Sequence, residues 1–90
     1  MNISDIVELV TYKYKGWVID DFMRSFPEPG SFVRLKQPRT DIVVTFEVGD
    51  SEVEWILDQI PVEGIYYEDL MSTVNVLEHI KQDIENSLFY

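Results

Sequence analysis

Apolar positions follow helical spacing at both ends of the chain and strand spacing in between. From Glu68 to about Phe89, Leu70, Met71, Val74, Leu77, Ile80, Ile84 and Leu88 recur at steps of one, three and four, with no Pro or Gly among them. That spacing puts them on one stripe of a 3.6-residue helix. At about 1.5 Å per residue, such a helix runs about 30 Å, enough to cross a small domain. Ile3, Ile6, Val7 and Val10 predict a shorter helix over about Ser4 to Tyr12. Asn2 or Ser4 can cap it, with Asp5 and Glu8 at the dipole end that favours acids. Lys13 and Lys15 fall at the end that favours cations, and Gly16 breaks the pattern.

The middle of the chain reads as β-structure. Ser31–Lys36 and Asp41–Val48 flank Gln37-Pro38-Arg39-Thr40, a connection compatible with a hairpin. In the second run Ile42, Val44, Phe46 and Val48 alternate with Val43, Thr45 and Glu47, the pattern of a strand with one face on the core. Phe32 and Val33 compete for the inner face of the first run, so its register stays open. A lone hairpin is only marginally stable, so a third strand is expected from Trp17–Ile19 or Gly64–Tyr67. Asp20–Phe26 fits either the opening of a helix or a continuation of the Trp17–Ile19 strand, and Pro27-Glu28-Pro29-Gly30 is a turn. Ser51 followed by Glu54 has capping-box spacing; with Val53, Ile56, Leu57 and Ile60 it predicts a second helix, stopped by Pro61.

Together these elements predict a single α+β domain over residues 1–90. A small antiparallel sheet of two to three strands is covered by an N-terminal helix, a second helix and the long C-terminal helix. Ninety residues bury roughly two-thirds of their unfolded surface, enough for one small core. The chain is 46% hydrophobic and 27% charged, a globular composition, and has no cysteine. Disulfides and thiolate metal sites are thereby excluded, which suits the cytoplasm. Met1–Asp5 lacks the basic start and apolar run of a signal peptide, and no apolar stretch reaches membrane-span length.

Charge changes the picture more than composition does. Residues 1–40 carry five acids and six bases, a net of +1, whereas residues 41–90 carry twelve acids and one base, Lys81, a net of −11. Such a half-molecule repels nucleic acid and anionic lipid and attracts basic proteins. Acids also keep a small domain soluble, but one compensating base is more one-sided than solubility requires.

Candidate chemistry is sparse. Nucleophilic triads reduce to a serine with the single histidine, His79, and no serine has a nucleophile context. His79, before Ile80 in the long helix, reads as a surface side chain. Asp50-Ser51-Glu52-Val53-Glu54 begins a calcium-loop rhythm but lacks the central glycine and distal glutamate. No phosphate-cradling glycine loop is present, so no metal or cofactor is expected. Arg34, Lys36 and Arg39 ring one hairpin tip, too few to outweigh the acids for nucleic-acid binding; they read as a solvated turn or as partners of acids in the same chain. The partner-binding candidates are therefore Glu47, Asp50, Glu52, Glu54, Asp58, Glu63, Glu68 and Asp69, with Trp55, Tyr66 and Tyr67 as neighbouring aromatics.

The opening Met1-Asn2-Ile3-Ser4-Asp5-Ile6 and the acidic stretch from Glu47 to Glu85, on this order of elements, resemble small phage anti-CRISPR and anti-restriction proteins. Toxin-immunity proteins, also small and acidic, are similar in the same way. The resemblance covers architecture and charge and carries no binding residue across. It implies stoichiometric inhibition, in which an acidic protein occupies the nucleic-acid groove of a nuclease. A different expectation is an assembly subunit or homodimer. Leu70, Val74, Leu77, Ile84 and Leu88 approximate a seven-residue repeat, and Leu88-Phe89-Tyr90 is an apolar tail.

Overall fold

The computed structural model describes residues 2–59 and 67–90. Six elements follow in order: α1 (Ile3–Lys13), β1 (Val18–Phe22), β2 (Phe32–Gln37), β3 (Ile42–Val48), β4 (Val53–Gln59) and α2 (Tyr67–Phe89). The strands form one antiparallel sheet in the order β1-β2-β3-β4, so each pairs with its neighbour in sequence. The class is α+β as expected, but the sheet has four strands and the described residues hold two helices.

The element that differs is β4. Val53, Trp55 and Leu57 alternate with Glu54, Ile56 and Asp58, so the segment carries a period of two beside the helical spacing that predicts a second helix. Pairing decides between them. β4 matches Val48↔Val53, Phe46↔Trp55 and Val44↔Leu57, which satisfies the far edge of β3 and turns three apolar side chains inward. The Gly49 N–H donates to the Glu52 carbonyl at 2.8 Å, closing a hairpin turn where the capping box is expected. Trp17–Ile19 supplies the start of β1, which continues to Phe22. Of the other proposed strand, residues 64–66 lie outside the described residues and Tyr67 begins α2.

Register settles which residues face inward. Val33↔Phe46 and Leu35↔Val44 place Val33 on the core side and Phe32, opposite Glu47, on the other. Two bulges interrupt the ladders, with Asp20 the extra residue in β1 and Asp58 the extra residue in β4. Between β2 and β3, Asp41 takes φ +58, a left-handed conformation that aspartate tolerates in turns.

Both helices lie on the inner face. Ile6 and Val10 of α1, and Leu77, Ile80 and Ile84 of α2, are buried with Val33, Leu35, Val44, Phe46 and Val53, and Trp17 and Phe26 close the core. Fully burying a side chain of this kind contributes about 1.5–3 kcal/mol. Val7 and Met71, expected on the helical stripes, are exposed, because each helix packs through a narrower strip on a sheet only four strands wide. Asn2 caps α1: its side chain accepts from the Asp5 N–H at 3.1 Å, and Asp5 accepts from the Asn2 N–H at 2.8 Å. The described helices include none long and apolar enough to cross a membrane.

Candidate functional site

The opposite face of the sheet mixes polar and apolar side chains and, among the described residues, is uncovered. Its rows follow from the register. Val18, Lys36 and Val43 lie across one end, Arg34, Thr45 and Ile56 across the middle, and Phe32, Glu47 and Glu54 across the other end.

At that last end the acids gather. Glu47 and Glu54 are directly paired across β3 and β4, and Asp50 and Glu52 sit in the turn that joins the strands. With Val48, Gly49 and Ser51 they line an open concavity of ≈ 330 Å³. Like charges directly opposite on a sheet are destabilising. Among the described residues, the ion pairs use other groups: Lys13–Asp83, Arg34–Asp21, Arg34–Asp58 and Lys36–Asp41. The hairpin tip thus keeps four carboxylates that no cation of the described chain neutralises. Three of those ion pairs join residues 1–40 to residues 41–90, so Lys13, Arg34 and Lys36, three of the six bases of the first half, are spent on acids away from this tip.

Mid-face, Arg34 organises a network. Its Nε donates to Thr45 Oγ1 at 3.2 Å and lies 3.4 Å from Asp58, while Nη1 is 3.9 Å from Asp21. The Thr45 hydroxyl donates to Asp58, and the guanidinium stacks 5.5 Å from the centre of the Phe32 ring. The bulge at Asp58 aims that carboxylate inward along the face, and Thr45 is buried beneath the network although its strand face is open.

A second polar cluster joins the helices. The Lys13 ammonium donates to Asp83 Oδ2 at 2.7 Å and the Tyr14 hydroxyl donates to the same oxygen. With His79 and Gln82 these side chains line a shallow depression. Burial pushes the Tyr14 phenol well above its usual value, reinforced by its hydrogen bond to Asp83 and the charge there. Partial burial works to raise Asp83, but hydrogen bonds from Lys13 and Tyr14, then the charges of Lys13 and His79, outweigh it and hold the carboxyl below the usual range. Two further α2 acids dock the helix on β4: Glu85 accepts from the Val53 N–H and Glu78 from Trp55 Nε1–H, each at 2.9 Å.

Of the acids expected to meet a partner, the fold brings Glu47, Asp50, Glu52 and Glu54 together. Asp58 stands apart, held by Arg34 and Thr45. Glu63 and Tyr66 lie outside the described residues, as do the side chains of Tyr67, Glu68 and Asp69 in the first turn of α2. Trp55 is half-buried on the helix side, away from the acidic tip. Sequence reasoning misses the Tyr14–Asp83 tie, since nothing local links residues 69 apart. The Arg34–Thr45–Asp58 network has a signal that becomes readable only once β4 is recognised as a strand. Among the described residues no three His, Asp or Glu side chains converge as a metal site. No protein family, curated protein or solved structure matches the chain.

Proposed function

We propose that the chain is a non-enzymatic acidic binding protein that occupies a basic surface of a nucleic-acid-handling protein, in the manner of small phage inhibitors of nucleases. One observation carries the reading: Glu47, Asp50, Glu52 and Glu54 sit together on a hairpin, while the ion pairs of the described chain engage other acids. Carboxylates carried on a hairpin have their backbone spacing set before binding, and they offer guanidinium and ammonium groups the charge-assisted hydrogen bonds that phosphates would. Association through such a surface is fast and falls steeply with ionic strength.

The alternative of an assembly subunit built through the C-terminal helix draws less support. Leu77, Ile80 and Ile84 are buried in the core and Leu88 and Phe89 pack against it, so the seam is largely used within the chain. The test is capture of partners from a cytoplasmic lysate on the immobilised chain, released by a salt step. The captured protein is then assayed for nucleic-acid binding with and without added chain. A nucleic-acid-handling protein whose binding is displaced stoichiometrically supports the proposal. Partners that resist salt, or that bind nucleic acid undisturbed, overturn it.

A further inference from the structure

The acids define the charge of a partner, and the uncovered sheet face defines its shape. Both helices occupy the face of Val33, Leu35, Val44 and Phe46, which leaves the other face open among the described residues. Val18 and Ile56 stand on that open face with 47% and 49% of their surface exposed. Around them the charge is one-sided. Arg34 is shared by Asp21 and Asp58, Lys36 is held by Asp41, and Glu47 and Glu54 are surplus. At about 4.8 Å between strands and about 3.3 Å per residue, the face measures about 15 Å by about 20 Å. That is a footprint on the order of 300 Å². A helix about 10 Å across matches that footprint.

We infer that this face is the seat of a single basic amphipathic segment of the partner, with its apolar side chains on Val18 and Ile56 and its lysines or arginines at the Glu47–Glu54 end. The inference rests on the acidic-binder reading and adds where and what the surface binds. Apolar contact on two half-exposed residues supplies affinity, and the surplus carboxylates choose the sign and the direction of the segment.

The experiment is an NMR titration of the ¹⁵N-labelled full chain with a synthetic amphipathic helix of leucine and lysine, about 14 residues long, at low and high salt. The same peptide with glutamate in place of lysine is the control. The expected result is saturable amide shifts along the outward positions of β2, β3 and β4, with the Trp55 indole quiet, and none with the glutamate peptide. Affinity drops about tenfold or more in the Glu47→Gln/Glu54→Gln double variant, and likewise in Ile56→Ser, with their melting curves checked for folding. Shifts centred on α1 or α2, or unchanged affinity in the variants, overturn the seat and leave the acidic-binder reading standing. If neither the lysine peptide nor polylysine shifts any resonance at low salt, both fall.

Discussion

Replacing Asp83 by asparagine tests whether a shared carboxylate ties the two helices. Asp83 Oδ2 takes the Lys13 ammonium at 2.7 Å and the Tyr14 hydroxyl; the lysine side chain is 57% exposed and the aspartate 24%. The lysine arm is therefore largely solvated and contributes about 0.2–1 kcal/mol. A hydrogen bond to a charged group contributes about 1.5–3 kcal/mol and its neutral counterpart about 0.5–1.5 kcal/mol. Asparagine keeps the neutral version, so the loss at pH 7 comes to about 1–2 kcal/mol, or about 5–15 °C in Tm for a domain this size. The folded carboxyl lies below its unfolded value, about 3.9, so its contribution is complete above that value. It disappears as the pH falls through the folded pKa. Tyr14 runs the other way: its raised phenol adds stability that is whole below about pH 10 and is lost as the pH climbs toward the folded value. Thermal unfolding of the natural chain and Asp83→Asn, followed by circular dichroism from neutral pH to about pH 2, reads the first effect directly. The two curves should converge on acidification. Equal Tm values at neutral pH, or a gap that persists in acid, would refute the tie.

Two other substitutions probe the two faces of the sheet. Phe46→Ala, at a fully buried site, should cost about 3–5 kcal/mol in urea unfolding, against less than about 1 kcal/mol for Ile56→Ala on the open face; the reverse order would mean the core lies on the other side. Glu54→Gln removes the like-charge pairing with Glu47 and should raise stability by about 0.2–1 kcal/mol, more at low salt, and a loss of stability would show that the pair is compensated within the fold.

Elements whose pattern allows a single period are legible in the sequence. The stripe of α2, the Asn2 option at the start of α1 and the alternation of β3 all translate directly into structure. Segment 53–59 is ambiguous because Val53, Ile56 and Leu57 suit a helix while Val53, Trp55 and Leu57 suit a strand. A local capping signal tips it toward helix. The fold tips it toward strand, since β3 would otherwise be an unpaired edge. The choice between Phe32 and Val33 also depends on a partner strand, through a register that no isolated run can state. For the acids, sequence proximity brings Glu47, Asp50, Glu52 and Glu54 together because a tight hairpin keeps neighbours near. Asp58 is out of reach of them because the strand carries it away from the tip to mid-face, where Arg34 holds it.

The sequential order of the strands bears on how the chain assembles. Each hairpin closes a short loop, so the sheet can zip up as it is synthesised, with little entropy lost per step. Its lid is divided. α1 precedes the sheet and α2 follows it, and the clasp between them, Lys13 to Asp83, bridges 70 residues. A nascent chain released as far as Gln59 therefore has its strands available but lacks Leu77, Ile80 and Ile84. Val33, Leu35, Val44 and Phe46 then form an oily surface facing solvent or a chaperone. The interval between translating β4 and freeing residues 77–84 from the ribosome is the vulnerable moment in the life of this protein, and slow codons there would lengthen it.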